Sequence, residues 1–217
     1  IQNHDPKTSD TTVKENDNSI PGMGQETFKT ATDVRILDLP GSPVWIKDKY
    51  FNVLFGASDK DGGKKLLDML IKENVEMIDY LFIPSTNPET FEGLSQLVGQ
   101  KKLHISKIGT IGATSSLELR NTMKLAQDNM IATENLSAGA KWQLNDMMFD
   151  VLYPMSADVS SEIGAVNTCV VRISKGDWSA ILTGEMTEEI GQKLIARGKL
   201  SPTSVVIATN GAPSGSL

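Results

Sequence analysis

The chain reads as an α/β (α+β) protein with sheets packed on one another and helices on the outside. Three observations lead there. Short apolar runs of strand length recur along the chain, among them Val44-Trp45-Ile46, Val53-Leu54-Phe55 and Tyr80-Leu81-Phe82-Ile83. Between them lie stretches with helical spacing, such as Leu66, Leu67, Leu70 and Ile71. At Leu81 to Leu94 an apolar strand runs into a polar corner, and a helix starts at once with Pro88, Glu89 and Thr90. A corner at the C-terminal end of such a strand is where active sites are built.

Length and composition set the outer bounds. With 217 residues, 39% of them hydrophobic, the chain is large enough to bury a full core, so one domain and a tail are expected. The net charge of −6 supplies no basic field for nucleic acid or an anionic membrane. A single cysteine, Cys169, excludes an internal disulfide framework. No apolar run approaches the roughly 20 residues of a membrane-spanning helix.

Residues 1–32 are rich in Asp, Asn, Thr, Lys and Gly and poor in large apolar groups, so they read as a disordered polar linker ahead of a domain at 33–217. The absence of Met before Ile1 leads to the expectation that something upstream was removed. A polar spacer of this kind follows signal peptides, lipid anchors and membrane segments, which predicts an extracytoplasmic location. An expression leader has the same composition.

In order from Asp33, Val34, Ile36 and Leu39 form a first strand, ended by the turn Pro40-Gly41-Ser42-Pro43. Val44 to Ile46 and Phe51 to Phe55 follow, joined by Lys47-Asp48-Lys49. A helix after Gly62-Gly63 places Leu66, Leu67, Leu70 and Ile71 on one face. The strand Tyr80 to Ile83 leads into a helix from Glu89 to Val98 carrying Phe91, Leu94 and Leu97. A short strand covers His104 to Ile108, and Ser115 with Glu118 makes a capping box for a helix to about Asp128. Ile131, Trp142, Leu144, Met148, Phe149, Val151 and Leu152 mark short strands. Val166–Ile173 and Trp178–Leu182 form a hairpin through Lys175-Gly176-Asp177, before a helix from Thr187 to Ala196 and a buried strand, Val205 to Ala208. Leu37, Leu54, Leu81, Ile83, Val170, Leu182 and Val206 are expected in the core.

The corner resembles the signature of the metallo-β-lactamase fold, in which a strand ends in T-H-x-H-x-D-H before a Gly-Gly-Leu-like helix start. Pro84 takes the Thr position, Ser85, Asn87 and Thr90 the three His positions, and Glu89 the Asp position, while Gly93 and Leu94 match. The wider order is similar to the soluble nuclease-like domain of the ComEC-type competence proteins of bacterial DNA uptake. Leu37-Asp38-Leu39-Pro40-Gly41-Ser42-Pro43 stands for L-D-V-G-Q-G-D, and Phe55 stands where a strand ends in the Asp of D-G-G. Asn167-Thr168-Cys169-Val170-Val171 follows the N-x-S-x-V strand. Trp178 to Glu185 follows the strand ending in L-T-G-D, with Glu185 at the bridging Asp. Thr209-Asn210-Gly211-Ala212 replaces H-H-G-S. The resemblance implies a four-layer αββα sandwich, with the family's last helix–strand unit either missing or supplied by further residues, and in the family two zinc or manganese ions whose bridging hydroxide attacks a phosphodiester or another electrophile.

That chemistry needs about six nitrogen and carboxylate ligands. The chain has two histidines, His4 in the tail and His104 on a strand outside the motifs. Asn87-Pro88-Glu89 is explained as a helix start, with an N-cap, a proline at the first position and an acid in the first turn. Glu185 serves a helix terminus equally well. Ser85, Thr90, Thr209 and Asn210 are expected to line a polar hollow, with water in it and direct hydrogen bonds among them. No catalytic residue, metal or cofactor is therefore expected. The alternative is Mg²⁺ on Glu89 and Glu185. Cys169, mid-strand in an apolar run, reads as an inert buried thiol. Gly62-Gly63-Lys64-Lys65 lacks the phosphate-loop pattern, and Ser214-Gly215-Ser216 reads as a flexible terminus.

The leading expectation is a catalytically inactive metallo-β-lactamase-like domain that serves as a binding or structural module, with a protein or cell-surface partner. A metal-dependent hydrolase or nuclease with a carboxylate-only site is the alternative. A third reading keeps DNA engagement without cleavage. Net acidity disfavours it, though Lys101, Lys102 and Lys107 can form a local basic patch.

Overall fold

The protein is represented by a computed structural model that describes residues 31–111, 116–160 and 167–208. Its first sheet has six strands, in chain order β1 (Asp33–Ile36), β2 (Val44–Lys47), β3 (Asn52–Phe55), β5 (Tyr80–Phe82), β7 (Lys107–Ile111) and β8 (Ala132–Leu136), which also lie side by side in that order. β1 to β3 form an antiparallel meander, and β3, β5, β7 and β8 run parallel. Parallel neighbours need crossovers. Those are supplied by α1 (Lys60–Lys72), the turn and short helix α2 (Leu94–Leu97), and α3 (Leu117–Asp128).

The second sheet has five strands in the spatial order β13 (Val205–Ile207), β12 (Trp178–Leu182), β11 (Val170–Lys175), β10 (Met147–Tyr153) and β9 (Lys141–Leu144). All pairs are antiparallel except β12 with β13, which are joined through α4 (Glu188–Ala196). A two-stranded parallel pair, β4 (Met77–Ile78) with β6 (His104–Ile105), extends the base of the first sheet.

Three apolar clusters define four layers. Leu54, Leu81 and Ile108 pack with Leu66, Leu70, Leu94 and Leu119 between the first sheet and α1–α3. Phe55, Phe82, Phe149, Val171 and Leu182 fill the space between the sheets. Leu152, Val170 and Ile181 meet Met186 and Leu194 of the α4 layer. The alternation of strand side chains between two faces produces this: Leu54 and Phe55 are neighbours in sequence yet belong to different cores. The order helix, sheet, sheet, helix is the αββα sandwich.

The structure differs from several sequence expectations, each for a physical reason. The helix expected over Glu89 to Val98 is a single 3-10 turn, Pro88–Thr90, followed by α2. The Thr90 carbonyl accepts from the Ala57 amide at 2.8 Å, and the Gly93 amide donates to the Ser58 carbonyl at 2.9 Å. Those backbone groups are thereby drawn away from a helix ladder. At Gly93 the chain also lies against α1, where a Cβ built on Gly63 would sit 2.4 Å from the Gly93 Cα. Helix α3 is capped by Ser116, whose Oγ accepts from the Leu119 amide at 3.2 Å, while Ser115 lies outside the described residues. The strand expected over His104 to Ile108 is divided between β6 and β7. Ile71 is 40% exposed because it lies beyond the Leu66–Leu70 stripe, and Val206 is half-buried because β13 is an edge strand. The other six expected core residues, Leu37, Leu54, Leu81, Ile83, Val170 and Leu182, are buried. No helix among the described residues is long and apolar enough to cross a membrane. Most of the 1–32 linker lies outside the described residues.

Candidate functional site

The corner after β5 is joined to the second sheet by backbone bonds. The Cys169 amide donates to the Pro84 carbonyl at 2.7 Å and the Thr86 amide to the Asn167 carbonyl at 2.9 Å. The Asn167 amide in turn donates to Thr86 Oγ1 at 2.9 Å, and Ser85 and Thr168 form an isolated antiparallel bridge. Asn167 spans the chain at Ser160, its Nδ2 donating to that carbonyl at 2.9 Å and its Oδ1 accepting from that amide at 2.8 Å. The two sheets are therefore tied together where the corner emerges.

That tie positions Glu185. Thr168 Oγ1 donates to the Pro84 carbonyl at 3.2 Å and accepts from the Glu185 amide at 2.8 Å. Gly184 before it has φ +57, and a Cβ there would stand 2.5 Å from Thr168 Oγ1, so only glycine suits the position. The Glu185 carboxylate reaches the corner and is held at both oxygens. Ser85 Oγ donates to Oε2 at 2.6 Å, and Asn87 Nδ2 donates to Oε1 at 2.6 Å. These are short, charge-assisted bonds. Ser85 is fully buried, and its Oγ also accepts from the Asn87 amide at 2.9 Å.

Asn87 has a second task. Its Oδ1 accepts from the Glu89 amide at 3.2 Å, which caps the 3-10 turn with Pro88 at its start, as the sequence predicts. Thr90 is buried, and its Oγ1 donates toward the carbonyls of Ser85 (3.0 Å) and Asn87 (2.7 Å). Glu89 is exposed. Phe55 is buried in the inter-sheet core, its ring centroid 6.0 Å from that of Phe82. Thr209 and Asn210 lie outside the described residues. Ser85, Asn87, Thr90 and Glu185 thus come together, while Phe55 belongs to the core beneath and Glu89 lies on the surface.

Other candidates fall elsewhere. His104 is exposed on β6, at the end of the first sheet away from the corner. Cys169 is fully buried, and that burial pushes its thiol well above the ordinary range, which suits an inert group and not a nucleophile. Thr86 and Thr168, which hold the corner and Glu185 in place, were not among the residues singled out by sequence. Their roles depend on partners 81 and 17 positions away.

The family resemblance implies a dinuclear metal centre, and the donor set can be tested against it. Among the described residues, no three His, Cys, Asp or Glu side chains come together in a group able to hold a metal ion. The corner offers hydroxyl and amide groups and one carboxylate with both oxygens already accepting hydrogen bonds. Zinc prefers imidazole and thiolate donors, and one carboxylate among neutral hydroxyl and amide groups is too small an oxygen set for two manganese ions. The described residues do not fit that group.

No protein-family model and no curated protein sequence matches the chain. Solved structures do. A metallo-β-lactamase from Cronobacter sakazakii with a HARLDQ motif aligns at TM-score 0.53 and 10% identity, covering 77% of this chain and 70% of that one. The CmlA β-hydroxylase aligns at TM-score 0.53 and 10% identity over 77% of this chain and 33% of that one. The metallo-β-lactamase fold protein YhfI from Bacillus subtilis aligns at TM-score 0.47 and 10% identity, covering 68% of this chain and 56% of that protein's length. At such identity the likeness to the Cronobacter metallo-β-lactamase is one of architecture, and with the six-stranded and five-stranded sheets enclosed by helices it means that this chain has the metallo-β-lactamase fold.

Proposed function

We propose that this domain is a non-catalytic member of the metallo-β-lactamase fold, a binding or structural module in which side-chain hydrogen bonds do the work of a bridging metal. One observation carries the reading. Glu185, at the position that the resemblance gives to a bridging carboxylate, receives Ser85 and Asn87 at 2.6 Å each. Both donors occupy histidine positions of the corner pattern, so the same three positions that would share metal ions are closed on one another without any. Phe55 adds to the argument, because an apolar ring under the site removes a further carboxylate.

The order of motifs from Leu37 to Glu185 supports kinship with the ComEC-type branch, and the polar composition ahead of Thr32 supports a location outside the cytoplasm. The wider superfamily is hydrolase-like, so activity is the reading to test against. The experiment is elemental analysis of protein purified without chelator, paired with nuclease, phosphodiesterase and β-lactamase assays supplemented with Zn²⁺, Mn²⁺ or Mg²⁺. The expected result is no stoichiometric metal and no turnover. One tightly held metal per chain, or cleavage abolished by Glu89→Gln or Glu185→Gln, would establish a carboxylate-only hydrolase instead. Salt-sensitive DNA binding without cleavage would favour the DNA-engaging variant of the module.

A further inference from the structure

At the end of the molecule away from the corner, the C-terminal end of α1, the start of β4 and the chain entering β6 leave an open groove of about 580 Å³. Val75 and Leu103, both buried, form its apolar floor. Its rim carries Lys101, Lys102, His104, Ile71 and Glu76, all exposed, and the His104 amide donates to the Glu76 carbonyl at 2.8 Å. A second cavity of about 190 Å³ continues past β6 toward Ile131 and shares Gln100, Leu103 and His104 with the first. The volume falls within the range of binding sites, roughly 300–1,000 Å³.

Lys47, Lys64, Lys107 and Lys124 each meet a carboxylate of the chain itself. Among the described residues, Lys101 and Lys102 form no such pair. In a chain with net charge −6, two adjacent lysines beside buried apolar side chains give the groove a locally positive edge. A cationic lip over an apolar floor is complementary to a ligand that is apolar on one side and anionic on the other.

We propose that this groove docks an extended segment of a partner protein in which carboxylates alternate with apolar side chains. In an extended chain successive side chains point to opposite sides at about 3.3 Å per residue. Apolar groups can then enter over Val75 and Leu103 while the alternate carboxylates meet Lys101 and Lys102. Glu76, also on the rim, repels carboxylates and so favours a segment whose acids lie over the two lysines. Because the two cavities share Gln100, Leu103 and His104, a ligand that enters both runs past β6, which favours an extended chain over a compact anion. This proposal does not rest on the reading of the corner, which lies at the other end of the sheet.

The test uses the whole chain and a short fluorescein-labelled peptide of alternating Glu and Leu, followed by fluorescence anisotropy. A Gln-for-Glu counterpart and inorganic phosphate as competitor complete the set. The Glu peptide should bind, and its affinity should fall as NaCl screens the lysines. Lys101→Glu with Lys102→Glu should weaken it by about tenfold or more, as expected for two reversed interface charges. Lys60→Glu with Lys65→Glu, an equal charge change elsewhere, should leave binding unaltered. Circular dichroism of both variants checks that they are folded. Absence of binding, equal binding of the Gln peptide, insensitivity to the Lys101 and Lys102 changes, or displacement by millimolar phosphate would each overturn the proposal, the last in favour of a small-anion site.

Discussion

Ser85 Oγ and the Glu185 carboxylate, separated by 100 positions in the chain, meet at 2.6 Å at the end of β5. The serine comes from the corner of the first sheet and the glutamate from the end of β12 in the second. Asn87 donates to the other carboxylate oxygen, so one acid joins two corner residues across the sandwich.

Replacing either partner should therefore destabilise the fold. Ser85→Ala removes a donor to Glu185 and leaves the amide of the half-buried Asn87 without its acceptor, and should cost about 1–3 kcal/mol. A double-mutant cycle with Glu185→Ala should give a coupling of about 0.5–3 kcal/mol by urea denaturation. Strictly additive changes would mean that the two groups act independently.

Core truncations should cost more where all layers close. Leu81 and Leu182 are buried in the helix-side and inter-sheet cores respectively. Each change to Ala should cost about 2–5 kcal/mol. Val206→Ala, on the half-buried edge strand, should cost less than either. Values below about 1 kcal/mol at both Leu81 and Leu182 would contradict the layer assignment.

The approach of α1 to α2 should tolerate no side chain. A Cβ on Gly63 would lie 2.4 Å from the Gly93 Cα and 2.6 Å from the Gly93 carbonyl oxygen, both backbone atoms unable to rotate away. Gly63→Ala is expected to lower stability by about 1–3 kcal/mol or more through overpacking, although alanine is the better helix former. A thermal midpoint unchanged or raised would refute this contact.

Acid should weaken the opposite end of the sandwich through Asp48. Burial raises this carboxyl, but hydrogen bonds from Thr32 and the Tyr50 amide, with the hydrogen bond and charge of Lys175, outweigh it and hold the group below its ordinary value of 3.8. A carboxyl lowered by folding stabilises fully above its unfolded value, and that contribution is lost as pH falls through the folded one. Stability should thus decline as pH drops below about 4, and Asp48→Asn should flatten that acid limb. An identical acid limb in the variant would remove Asp48 from the account.

Cys169 should react only when the protein opens. Its burial is complete and its thiol is pushed upward by desolvation, so the thiolate is scarce as well as inaccessible. Labelling with a thiol reagent should proceed at the rate of unfolding and become immediate in denaturant. Rapid labelling under native conditions would contradict the placement of β11.

Local signals were legible in the chain because their physics is local. A helix begins at Thr187, Asn87 caps the turn that starts at Pro88, and Lys175-Gly176-Asp177 closes the β11–β12 hairpin, as their spacing predicts. The alternation of Leu54 with Phe55 and of Leu81 with Phe82 already encodes two cores on the two faces of one sheet. The corner positions Ser85, Asn87, Thr90 and Glu185 were recognisable as a group by pattern. Only the folded chain decided that Glu185 would be held at both oxygens, that Thr168 would carry its amide, and that the helix after Pro88 would break to bond with Ala57 and Ser58. Side-chain hydrogen bonds are directional and satisfied within a few tenths of an ångström, so the partner of a polar group depends on how whole sheets pack, a long-range outcome that residue type and spacing along one strand do not contain.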